Sequence, residues 1–199
     1  MTLMTRSVAT GSLLCAFLWS SSRNWTLTST ETIWRSRYTN CDKGYYVDLP
    51  PSVVAHATHP PNPNHGFLIS ASNPAPTGEV TFAAGRVVTV EDEYNTLPAT
   101  NPKGQLDWEL GQTPGAKVIG TRAVRFRDLP GVEASYRLET NGEPQLAREL
   151  VVFRNTDDLV YTLRLVTNQL NYSRDLALYE QLRNGFHVFP VPHGECVNP

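Results

Sequence analysis

Only three of the 199 residues are cysteine and two are methionine, and nowhere do lysines and arginines gather into a run. The net charge is -2. Dispersed basic residues argue against nucleic-acid or anionic-membrane binding by bulk electrostatics, since both need a concentrated positive field. No C-x-x-C spacing occurs, so disulfide-exchange catalysis and a cysteine zinc site have no support. The G-x-S-x-G elbow, H-E-x-x-H, the Walker loop and G-x-G-x-x-G are all missing, and the expectation is a protein that is not an enzyme. Long apolar runs are missing too: Leu13 to Trp19 is far too short to cross a bilayer, so no integral membrane segment is expected.

What is present describes an ordinary globular chain. Hydrophobic residues make up 40% and charged residues 18%, which suits one domain with a proper core. The beginning, "MTLMTRSVATGSLLCAFLWSSSRNW", carries Arg6, a short apolar run and then the small residues Ser20 and Ser22. These are the parts of an export signal over residues 1–22. A lipid anchor at Cys15 fits poorly, because Leu14 stands where a small residue would precede the cysteine. Residues 23–40, rich in Ser, Thr and Arg without clean periodicity, read as a linker, and residues 41–199 as a single domain. The expected location is exported, periplasmic or extracellular.

Cys41 and Cys196 survive removal of such a leader and lie near the two ends of the domain. An even count in an exported chain favours a Cys41–Cys196 disulfide over two separate thiols. In the loop-entropy model such a bridge stabilises by up to about 5 kcal/mol.

The domain opens with "GYYVDLP", where Tyr45, Val47 and Leu49 alternate with Tyr46 and Asp48 before Pro50-Pro51 ends the strand. "GFLISA" and "RVVTVED" read as further strands. Residues 95–115, with six prolines and glycines and only Leu106, Trp108 and Leu110 as apolar anchors, read as a long, partly packed connection, a place where binding often sits. In "AVRFRDLPGVEASYRLE" a hairpin turns at Asp128 to Gly131. It has a dry face of Val132, Ala134, Tyr136 and Leu138, and a wet face where Arg125, Arg127 and Arg137 pair with Glu133 and Glu139. A second hairpin turns at "NTDD", and its run Leu150 to Phe153 is apolar on both sides, the mark of a central strand covered twice. The candidate cover is a helix over "NYSRDLALYEQLRNGF". There Tyr172, Leu176, Tyr179, Leu182 and Phe186 recur at helical spacing, Ser173 can cap the start and Asn184-Gly185 the end. A last strand, "FHVFPV", follows.

Together these elements predict an α+β fold, an antiparallel β-sheet meander covered by a C-terminal helix. The opening "YYVDLP", the meander ending in "DLVYTLRLVT" and the helix "SRDLALYEQLRNGFHV" resemble the PsbP-like superfamily over most of residues 45–190. The resemblance implies a distant bacterial exported relative, an α/β sandwich, and a non-catalytic binding or assembly role. No functional residue is carried over.

One local feature remains, "VVAHATHPPNPNHGF", which sets His56, His59 and His65 within ten residues of proline-rich chain. Three neutral imidazoles suit zinc or copper. Yet no Cys, Asp or Glu lies among them, and Pro60, Pro61 and Pro63 stiffen the spacing between His59 and His65. The composition favours a structural loop with hydrogen-bonded histidines, without a cofactor, over a metal site. Two functions are therefore carried forward: a non-catalytic exported binding or assembly module for an unknown protein or small ligand, and a metal-binding exported protein using His56, His59 and His65.

Overall fold

The computed structural model describes residues 33–51, 53–57, 66–70, 86–94, 101–140, 142–156 and 158–190. Its elements in chain order are β1 (Ile33–Trp34), β2 (Arg37–Asn40), β3 (Tyr45–Asp48), β4 (Ala55–Ala57), β5 (Gly66–Ser70), β6 (Arg86–Tyr94) and α1 (Pro102–Gln112). Then follow β7 (Lys117–Phe126), β8 (Leu129–Thr140), β9 (Glu143–Arg154), β10 (Leu159–Asn168), α2 (Tyr172–Gly185) and β11 (Phe186–Val188). Eight strands form one antiparallel sheet in the order β1-β4-β5-β6-β10-β9-β8-β7, and a second sheet has the order β11-β3-β2. The chain is α+β, as its patterning predicts.

Alternation along the long strands sorts the core into two layers, since successive side chains leave a strand on opposite faces. On one face Leu150 and Val152 of β9 join Leu159, Tyr161, Leu163 and Leu165 of β10 and Val88 and Val90 of β6. On the other, Val151 and Phe153 join Val132, Ala134 and Tyr136 of β8, with Val160 of β10. Both layers are buried at residues 150–153, so the run that reads as doubly apolar is one.

The first layer also contains Tyr38, Tyr45 and Val47 from the small sheet and Tyr179 and Leu182 from α2. Aromatic rings seat the small sheet. Tyr45 stacks on Phe186 at 5.2 Å and meets Tyr161 edge-on at 5.3 Å. Such pairs add about 0.5 to 1.5 kcal/mol each beyond the area they bury. Helix α2 lies against β10 and β3. The side chain of Asp175 accepts from the hydroxyl of Thr167 at 2.6 Å, and Arg183 pairs with Glu133 of β8 at 2.8 Å. The second layer receives Leu106 of α1.

In the sheets and α2, local expectations differ from the structure at four places. Residues 33–40, at the end of the expected linker, form β1 and β2, and Tyr38 is buried among Tyr45 and Phe67. The missing periodicity there reflects strands of two and four residues, too short to show one. The hairpin between β7 and β8 turns at Arg127-Asp128 rather than at Asp128 to Gly131, with both residues at positive φ, 49° and 66°. A two-residue turn of this kind prefers Asn-Gly; here Arg127 is held by donating to the carbonyls of Phe186 and Asn184. The face read as wet is buried at Glu133, which is 1% exposed, because Arg122, Arg148 and Arg183 close over it. Ser173 lies inside α2 rather than at its cap, which is Asn171.

Candidate functional site

The segment read as a long connection folds as α1, and the sequence explains why. Asn101 accepts the Gly104 N–H at 2.9 Å, and Pro102 takes the first helical position, where its missing N–H costs nothing. At the other end the Thr113 hydroxyl donates to the carbonyl of Glu109 at 2.9 Å. Gly104 and Gly111 weaken the helical signal, while Leu106, fully buried, anchors the helix on the sheet.

Between this helix and the sheet lies a cleft of about 230 Å³, lined by Gln105, Trp108 and Glu109 from α1 and by Glu91, Thr162 and Arg164 from β6 and β10. Its floor is a chain of charge-assisted hydrogen bonds. Arg164 donates to Glu149 of β9 at 2.6 and 2.8 Å and to Glu109 at 2.8 Å. Tyr136 of β8 donates to the second oxygen of Glu149 at 2.8 Å. Gln105 donates through Nε2 to Glu109 at 2.8 Å. Trp108 stands at the rim, 47% exposed.

One guanidinium serves two carboxylates here, and the imbalance falls on Glu109. Burial and the neighbouring Glu149 push the Glu109 carboxyl up to about 8, against the pull of Gln105 and Arg164. It therefore holds a proton at neutral pH and can release one when a positive charge arrives. Burial and the charge of Glu149 raise the Tyr136 phenol above its ordinary range, so Tyr136 stays a donor. For Arg164, burial lowers and Glu149 raises the pKa, with a net rise that keeps the guanidinium charged.

A second charged cluster lies on the opposite face of the sheet. Burial would raise the Glu133 carboxyl, but Arg122, Arg183 and Arg148 around it hold it below the ordinary carboxylate range. This cluster ties α2 to β7, β8 and β9.

The residues singled out from sequence lie elsewhere. His56 sits half-buried in β4, opposite Leu68 of β5 and Ile33 of β1. His59 and His65 lie outside the described residues. Cys41, buried, follows β2 directly, and Cys196 lies outside the described residues. Gln105, Trp108, Glu109, Tyr136, Glu149 and Arg164 were not marked by motif. A signal existed for two of them: Glu149 is in phase with Val151 and Phe153, and Arg164 with Val160 and Val166. Opposite charges on the buried face of two paired strands must meet each other or a ligand.

No family model matches the chain, and no curated protein matches it by sequence. Solved structures do. The architecture is that of the PsbP-like α+β fold: the solution structure of cyanobacterial PsbP from Synechocystis sp. PCC 6803 superposes with a TM-score of 0.54 at 12% identity, over 79% of this chain and 92% of that one. Also similar are a Pseudomonas aeruginosa protein of unknown function (TM-score 0.48, 14% identity, 82% of this chain and 99% of that chain) and LpqN of Mycobacterium tuberculosis, involved in cell envelope biogenesis (TM-score 0.43, 14% identity, 81% and 85%). At 12% identity the likeness to the Synechocystis structure establishes the fold, and function rests on the site.

Proposed function

We propose that the chain acts by binding rather than catalysis, as an exported module whose ligand enters the cleft under α1. One observation carries this reading: a concave site with an exposed indole at its rim rests on a floor whose polar groups hold one another in place. Arg164, Glu149 and Tyr136 are each engaged inside the protein, which gives a rigid and pre-formed surface rather than a nucleophile with its base. In the same reading α2 and the small sheet close the opposite face, leaving the α1 side for the ligand; the burial of Tyr179 and Leu182 supports that division.

Export is supported by the residue pattern of positions 1–22, and among the described residues no helix is long and apolar enough to cross a membrane. The Cys41–Cys196 bridge belongs to the same proposal. Beyond β11 the Phe189 N–H donates to the carbonyl of Gly44 at 2.8 Å, and Arg154 donates to Phe189 at 2.8 Å and to Gly44 at 3.3 Å. Gly44 is at φ +64°, and a Cβ there would stand 2.5 Å from the Phe189 oxygen. The chain thus leaves β11 alongside the turn that begins at Cys41. Cys196 follows Pro190 by six residues, a reach of up to about 20 Å.

The cleft is tested by adding a low-molecular-weight extract of the native envelope to labelled protein and following backbone amides by NMR. Shifts concentrated in α1 and β10, lost in Trp108→Ala, are expected. Shifts confined to the opposite face would overturn the assignment of the site.

A further inference from the structure

We infer that the cleft takes a small organic cation, an ammonium or guanidinium group on a short carbon frame, seated against the Trp108 indole and donating to Gln105. The inference rests on the reading of this cleft as the ligand site. Gln105 is 4% exposed and lines the cleft, and its Oε1 accepts no hydrogen bond, although its Nε2 is engaged by Glu109. A buried carbonyl oxygen without a donor asks for one, and a ligand rich in N–H supplies it.

The charges agree. Glu109 lines the cleft and Glu149 lies beneath it, and one guanidinium, that of Arg164, already serves both carboxyl groups. An anion would meet both carboxyl groups, with the charge of Arg164 already shared between them. An indole, here that of the half-exposed Trp108 in the cleft lining, is the best natural platform for a cation. A cavity of about 230 Å³ falls below the ~300 Å³ at which drug-sized sites begin, so the frame is short.

The site also holds a counter-charge in reserve. Glu109 faces Gln105 on its own helix, Glu149 from β9, Arg164 from β10 and Glu91 from β6, with Tyr136 of β8 behind Glu149. Its carboxyl, raised to about 8, keeps a proton until a cation replaces it. Binding therefore releases a proton below pH 8 and tightens as pH rises, by at most about tenfold per pH unit.

The test titrates agmatine and cadaverine into the full folded chain at about pH 6.5 and about pH 9, by calorimetry in buffers of different ionisation heat and by NMR. Glutarate, 1,5-pentanediol, Ca²⁺ and Zn²⁺ serve as probes of the other charge classes. Both amines are expected to move amides of α1 and β10 and to release a proton at the lower pH. Trp108→Ala and Gln105→Leu are each expected to weaken binding about tenfold, Glu109→Gln to remove the proton release, and Lys103→Ala, on the outer face of α1, to change nothing. A capped Gly-Arg-Gly peptide separates a free amine from a side chain offered by a partner, and its exclusion is expected; tighter binding of the peptide than of agmatine would overturn the small-ligand assignment. Glutarate, pentanediol or a metal ion binding the cleft as well as the amines would overturn the inference and leave the cleft as the ligand site. If no probe moves the cleft while the envelope extract engages another face, inference and site fail together.

Discussion

Arg164 of β10 donates to Glu109 of α1 at 2.8 Å, and through this contact the helix is tied to the sheet at the floor of the cleft. The same guanidinium neutralises Glu149, which is fully buried. Removing it strands a charge. Arg164→Met is expected to lower stability by about 3 kcal/mol in urea unfolding, and Arg164→Lys by less, because an ammonium can reach one carboxylate though not both in the forked geometry. A loss under about 0.5 kcal/mol for Arg164→Met would mean that the network contributes nothing to the fold.

Glu109 should mark the stability profile against pH. Its folded pKa, raised to about 8 by burial and by Glu149, exceeds the unfolded value near 4.5. Between those values the native state holds one more proton than the unfolded chain, so stability falls as pH rises through this window and levels off above pH 8. The slope is at most about 1.4 kcal/mol per pH unit. Glu109→Gln should flatten it and should be the more stable protein at the alkaline end. Parallel profiles for the two proteins would place the ionisation elsewhere.

Leu182 and Arg183 separate packing from charge in α2. Leu182, fully buried in the first core layer, should cost about 2 to 5 kcal/mol on truncation to alanine. Arg183 lies off the apolar stripe, yet it meets Glu133 at 2.8 Å. Because Arg122 and Arg148 still hold Glu133, Arg183→Ala should cost about 1 to 2 kcal/mol, more than a surface arginine would. Equal, small losses at both positions would mean an undocked helix.

Non-reducing peptide mapping of protein isolated from its native compartment should recover Cys41 linked to Cys196. Two freely alkylated thiols would dismiss the bridge, and the export reading would lose its second support.

For the histidines, His59→Ala is expected to leave folding and ligand binding unchanged, and calorimetry with zinc and copper to show weak binding only. Stoichiometric, submicromolar binding that His56→Ala abolishes would promote the metal-binding reading in place of the cleft.

Local period determined much of this protein. The alternation in β8, β9 and β10 and the apolar stripe of α2 are written in residues a few positions apart, because a strand repeats every two residues and a helix every 3.6. The doubly apolar run Leu150 to Phe153 is buried on both faces, as its composition requires. What alternation cannot say is what lies on each face. Glu133 reads as solvated in its own strand and is buried because Arg122 and Arg148 of the neighbouring strands and Arg183 of α2, far along the chain, close over it. Helix α1 is spelled with two glycines and few apolar residues, and it exists because Asn101 caps it and Leu106 finds the layer of Val151, Phe153 and Val160. The site follows the same rule: Glu109, Glu149 and Arg164 come from three elements that only the sheet order brings together, so their charges balance in space and nowhere along the chain.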